Sequence, residues 1–124
     1  MTSNFEKNDK NTNLSFFREQ VKHFVERRKW SRYHTPKNLI QAMNIELAEL
    51  SELFLFKEMD KKLIKNDKDL FQRIQEELAD VFIYLISFVN SLDFDLTSAF
   101  LQKMKKNIKK YNLEEFSEGN YYKK

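Results

Sequence analysis

The 124-residue chain contains no cysteine, one glycine, one proline, two histidines and one tryptophan. Without thiols there is no disulfide framework, no zinc–thiolate site and no cysteine nucleophile. With only two histidines, the cheapest bound cation is a hard one held by oxygen. One glycine and one proline leave little material for hairpins and tight turns, and no alternating strand pattern or long internal repeat is present. No apolar run approaches the ~20 residues needed to span a bilayer. The polar segment Met1–Asn13 lacks the apolar core of a signal peptide. These absences together predict a cytoplasmic protein of helices, with residues 1–13 as a disordered tail.

What the chain does hold is charge and rings. Charged residues make up 33% of it at a net charge of only +3, and it carries 12 Phe and 5 Tyr. A single domain of this size buries roughly 68% of its extended surface. So many rings in one small core predict that some of them are buried between copies of the chain. Acidic residues crowd the middle of the sequence, while Lys103, Lys105, Lys106, Lys109 and Lys110 crowd the end.

Apolar spacing predicts four helices. Leu14, Phe17, Val21, Phe24 and Val25 mark the first, over 14–31. Thr35-Pro36 reads as an N-cap followed by the first helical position and opens the second, over 36–57. After a charged connection over 57–66, Asn66 or Asp67 caps the third, which runs to Leu92. Asp95 caps the fourth, over 96–111, and residues 112–124 read as a polar tail. The predicted architecture is an all-α four-helix domain over 14–111.

Two acidic pairs stand out, Glu46-Leu47-Ala48-Glu49 and Glu77-Leu78-Ala79-Asp80. Residues three apart share a helix face. Leu39, Met43, Leu50 and Leu53 mark the first pair's surroundings as core-facing, and Val81, Phe82, Leu85 and Ile86 mark the second's. The short connection makes helices two and three antiparallel neighbours. At 1.5 Å per residue, Glu49 lies roughly 12 Å and Glu46 roughly 16 Å before the predicted end of helix two. Glu77 and Asp80 lie roughly 15 and 20 Å into helix three. Glu49 is thus level with Glu77, and Glu46 with Asp80. Four carboxylates aimed into an interior need a cation to neutralise them, and Mg²⁺ is the hard, oxygen-liking candidate.

With these residues the chain resembles the MazG-like nucleoside triphosphate pyrophosphohydrolases, and among them the dCTP pyrophosphatases. The shared stretch includes Glu26-Arg27-Arg28-Lys29-Trp30, Tyr33-His34-Thr35-Pro36-Lys37-Asn38-Leu39, both acidic pairs, Tyr84, and Lys103, Asn107 and Tyr111. The resemblance implies Mg²⁺-dependent conversion of dCTP, and of modified dCTP, to dCMP and pyrophosphate. It implies that Glu46, Glu49, Glu77 and Asp80 hold the metal. It implies that Trp30, Phe56, His34, Asn38 and Tyr84 surround base and sugar, and that Lys103, Asn107, Lys110 and Tyr111 meet the phosphates. Phe56 stands where relatives carry Trp, and Val21 stands where relatives carry a helix-one His. A homo-oligomer is also implied, a tetramer built as a pair of dimers or a dimer, with neither membrane nor nucleic acid as partner. Hydrolysis of dUTP or phosphoribosyl-ATP, or a non-catalytic helical binding role, remain the alternatives.

Overall fold

The computed structural model describes residues 6–124, so part of the segment expected to be disordered, Met1–Phe5, lies outside the described residues. Asn8 and Asn11 form a turn before the first helix, with the Asn8 amide donating to Asn11 Oδ1 at 2.8 Å. The described residues contain α1 (Leu14–Arg27), α2 (Pro36–Glu52), a short α3 (Lys61–Asn66), α4 (Lys68–Leu92) and α5 (Leu96–Lys110), and no strand. The all-α expectation holds, as do the predicted limits of α4 and α5 to within a residue.

Caps explain where the helices start. Asn13, Thr35, Asp60, Asp67 and Asp95 each accept a hydrogen bond from the amide three residues on, satisfying a donor the helix cannot use itself. With one glycine available, positive φ falls on Lys29, Phe56 and Asp93 instead. This accounts for two early endings. The first helix stops at Arg27, not 31, because the Lys29 amide bonds to Glu26 O and the Trp30 amide to Val25 O, closing a Schellman-type end with Lys29 at φ 56°. The second stops at Glu52, not 57. There the Leu53, Phe54 and Leu55 amides bond three residues back and the chain tightens into turns. The connection expected to be irregular contains α3, capped by Asp60 and ended by Asp67, which also caps α4.

The chain divides into two compact units, Met1–Asp93 and Phe94–Lys124. In the first, α1, α2 and α3 all pack against α4, with α2 and α4 sharing the largest contact. Arg18 ties the start of α1 to the end of α4, donating from Nε to Asn90 Oδ1 and from Nη2 to Asp93 Oδ1, both at 3.0 Å. Among the described residues the buried apolar side chains are Val25, Leu39, Ile86 and Val89, the last three fully so. Phe82, expected to face the core, is 37% exposed. The second unit is α5 followed by turns in which Tyr111, Phe116 and Tyr122 stack in sequence. Glu115 receives Tyr122 Oη and Lys124 Nζ.

Candidate functional site

The antiparallel packing of α2 on α4 brings the acidic pairs together. One carboxylate oxygen from each of Glu46, Glu77 and Asp80 lies within 4.8 Å of the other two. Glu49 belongs to the same electrostatic cluster, because its charge acts on both Glu46 and Glu77. The expectation of four interior anions needs correcting. Glu46 and Glu77 are half-buried, whereas Glu49 and Asp80 are exposed, so the cluster opens to solvent on one side. α2 ends five residues before the expected 57, yet α2 and α4 still bring Glu46, Glu77 and Asp80 to one level.

Crowded carboxylates resist ionisation. The Glu46 carboxyl is pushed up to about 7, first by loss of hydration, then by the charge of Glu49 and a hydrogen bond to it, and further by Asp80 and Glu77. Glu77 is raised as well, by loss of hydration first and the charge of Glu49 next. Glu46 Oε2 and Glu77 Oε2 are buried and meet no donor. Orphaned carboxyl oxygens of this kind, crowded together, fit a hard divalent cation that would displace their protons.

A cavity of about 560 Å³ adjoins the cluster and takes in Glu46 and Asp80. Its wall is aromatic: Phe17 meets Phe82 edge-on at 5.3 Å, and Phe24 meets Trp30 edge-on at 5.8 Å. Arg28 lies 3.8 Å over the Phe24 ring and steadies that pair from outside. Gln20, His34, Tyr84 and Ser87 contribute the remaining polar groups apart from the indole. His34 Nδ1 is buried without a partner, and burial lowers the pKa of its imidazole.

Of the residues implied to touch base and sugar, Trp30, His34 and Tyr84 thus line one cavity together with Glu46 and Asp80. Asn38 does not line it. Its side chain donates to Tyr33 O at 2.9 Å and holds the turn that carries His34. Phe56 is 98% exposed and lies outside the cavity. In the second unit, Lys103, Asn107 and Lys110 lie at helical spacing along α5, and Lys110 Nζ sits 5.5 Å over the ring of Tyr111. Sequence reasoning assigned no site role to Phe17, Phe24, Phe82 or Ser87. A signal for Ser87 existed: Asp80, Tyr84 and Ser87 follow at steps of four and three, along one face of α4.

Among the described residues no single helix is long and apolar enough to cross a membrane. The MazG-like family model matches residues 41–123, which include all four acidic residues. The chain is 37% identical over 90 residues to dCTP pyrophosphatase 1 of Bos taurus, covering 71% of this chain and 53% of that protein. It is 38% identical over 90 residues to dCTP pyrophosphatase 1 of Homo sapiens, covering 71% of this chain and 52% of that one. The chain therefore spans about half the length of the curated relatives it matches. A crystal structure of a pyrophosphatase from Archaeoglobus fulgidus superposes with a TM-score of 0.73 at 30% identity, over 86% of this chain and 99% of that one. Its helices, its acidic cluster and these likenesses agree: the chain belongs to the MazG-like family.

Proposed function

We propose that the chain is a Mg²⁺-dependent nucleoside triphosphate pyrophosphohydrolase that converts dCTP, and dCTP modified on its base, to dCMP and pyrophosphate. The observation that carries this reading is one carboxylate oxygen from each of Glu46, Glu77 and Asp80 within 4.8 Å of the other two, beside an aromatic cavity. The likeness to the dCTP pyrophosphatases of Bos taurus and Homo sapiens supports dCTP as the substrate. Glu46, Glu49, Glu77 and Asp80 would hold Mg²⁺, which when bound neutralises phosphate oxygens and lowers the pKa of a water molecule.

The protein's own part is placement and proton transfer. Water oxygen bonds to the α-phosphorus while the bond from that phosphorus to the α,β-bridging oxygen breaks, and pyrophosphate leaves. The water proton goes to a carboxylate of the cluster. Glu49 and Asp80, on the exposed side, are the two that solvent reaches most easily. Trp30 packs on the face of the base in an aromatic wall shared with Phe24. Tyr84, one turn along α4 from Asp80, stands at the sugar. His34, held by the Asn38-braced turn, lies at the base. Phe56 would pack near the base, and Lys103, Asn107, Lys110 and Tyr111 would receive phosphates as the resemblance implies. The role is removal of unwanted nucleotides from the cytoplasmic pool.

Incubation with dCTP, 5-methyl-dCTP, dUTP, dATP and phosphoribosyl-ATP in millimolar Mg²⁺ is expected to release pyrophosphate and monophosphate, fastest from the cytosine nucleotides. Orthophosphate as product, or no turnover of any of these, would overturn the assignment. Faster turnover of dUTP or phosphoribosyl-ATP would move the substrate within the same chemistry.

We also propose that the chain acts as a homo-oligomer, a tetramer before a dimer. Ile45, Leu78, Phe100, Leu101 and Ile108 are each more than half exposed, an apolar display seldom left to water. Light scattering after size exclusion is expected to give about four times the 15.1 kDa chain mass. A stable monomer at micromolar concentration would refute the oligomer.

A further inference from the structure

Ser87 sits inside α4, five residues before its last residue Leu92, and is 5% exposed, yet its Oγ has no hydrogen-bond partner. A serine inside a helix ordinarily returns its hydroxyl to the carbonyl one turn back, and this one does not. An unmatched buried hydroxyl disfavours the empty fold, and a partner that arrives later offsets that cost. Ser87 lines the aromatic cavity that contains Glu46 and Asp80. It also lines a neighbouring, more charged cavity of about 670 Å³, shared with Val21, Val25 and His34 and with Arg18, Lys22 and Glu26.

Position along α4 identifies the ligand atom. On the proposed metal reading Asp80 would mark the phosphate end of the cavity; Tyr84 follows one turn on, and Ser87 lies nearly two turns on, roughly 10 Å along the axis from Asp80. That spacing is on the order of the span from the α-phosphorus through the sugar to the far edge of a pyrimidine. The wall from α1 offers Val21 and Val25, which cannot hydrogen-bond, beside the neutral amide of Gln20, and the rings of Phe24 and Trp30 suit a flat face. Within the aromatic cavity, which no described Lys or Arg lines, a neutral hydroxyl complements an uncharged polar edge and not a phosphate.

We propose that Ser87 is a specificity-determining residue whose Oγ accepts a hydrogen bond from the exocyclic amino group of a cytosine-type base. The assignment rests on the pyrophosphohydrolase reading and refines it. It concerns a hydroxyl that is idle in the fold and is completed by substrate.

The test compares wild type, Ser87→Ala and Ser87→Cys with two substrates: dCTP, and the pyrimidin-2-one deoxynucleoside triphosphate that carries hydrogen in place of the amino group. Wild type is expected to favour dCTP by about tenfold in kcat/KM, the scale of one neutral hydrogen bond. Ser87→Ala should lose about that factor with dCTP, mainly through KM, and leave the probe unchanged. Its metal-free Tm should equal or exceed that of wild type, since an orphaned hydroxyl has gone. Ser87→Cys, close in shape but a weak hydrogen-bonding group, should follow Ser87→Ala. Equal losses on both substrates, or wild-type behaviour of Ser87→Cys, would assign Ser87 to packing and overturn the proposal. Wild-type turnover with an unresponsive Ser87→Ala overturns it alone. No dCTP turnover by wild type while another triphosphate is hydrolysed to pyrophosphate overturns the Ser87 assignment alone, and no turnover of any triphosphate overturns the pyrophosphohydrolase reading with it.

Discussion

Glu77→Gln is expected to lower Mg²⁺-dependent turnover by at least about 100-fold while raising the Tm of the metal-free protein. The two effects share one origin. Gln keeps the size of Glu and an acceptor oxygen, so α4 and its packing on α2 should survive. What disappears is one negative charge from a cluster in which Glu77 already resists ionisation through lost hydration and the charge of Glu49. Without metal that charge is a liability, and neutralising it relieves repulsion on Glu46 as well. With metal and triphosphate present it is a ligand, and losing preorganised electrostatic stabilisation of this kind costs about 10²–10³ in rate. Glu46→Gln should behave alike, because Glu46 Oε2 is buried without a donor just as Glu77 Oε2 is. Steady-state pyrophosphate release and thermal melts in EDTA, run on the same preparations, check both halves. Normal turnover in both variants, or a Tm that falls in EDTA, would show that these carboxylates serve the fold and not a cation.

The opposed signs also separate what the sequence makes legible from what it hides. The helix starts are local chemistry: Thr35, Asp67 and Asp95 cap in the structure as their side chains predict. The acidic spacing is local too, and an antiparallel hairpin with a short connection suffices to bring Glu46, Glu77 and Asp80 together. Helix ends were harder to see, because the usual glycine signal is missing and Lys29 and Phe56 take positive φ in its place. Burial was overestimated for the same acidic faces. Asp80 and Glu49 sit among apolar neighbours in sequence, yet both are exposed, since a small unit leaves many apolar side chains outside its core. The aromatic cavity depends on contacts such as Phe17 with Phe82, more than sixty residues apart, which no local pattern encodes. Ser87 is legible only in retrospect, as the one polar residue in the apolar stretch from Val81 to Val89 apart from Tyr84.

In EDTA, the stability contribution of Glu46 is expected to decline as pH rises from about 5 to 8, and added Mg²⁺ should restore it. The sign follows from proton counts. The Glu46 carboxyl has an ordinary value of 4.5 and sits at about 7 in the folded, metal-free chain. Between those values the folded state holds a proton that the unfolded state has released, so unfolding stability falls with pH across that window. Below it both states are protonated and the penalty vanishes; above it both are ionised and the penalty is complete. Glu77, also raised, acts in the same direction. His34 acts oppositely, because burial lowers its pKa and its neutral form is favoured as pH climbs toward 6.5. Subtracting the Tm profile of Glu46→Gln removes most of the His34 contribution and leaves the carboxyl's share. A cation displaces the proton, so the Mg²⁺-induced rise in Tm should grow from pH 5 to 8. At a concentration ten times its dissociation constant, the ion contributes about 1.4 kcal/mol. For a chain of this size that is roughly 5 °C. A Mg²⁺ increment independent of pH would mean that the ion binds away from Glu46, and no increment at any pH would mean that the free protein does not hold it.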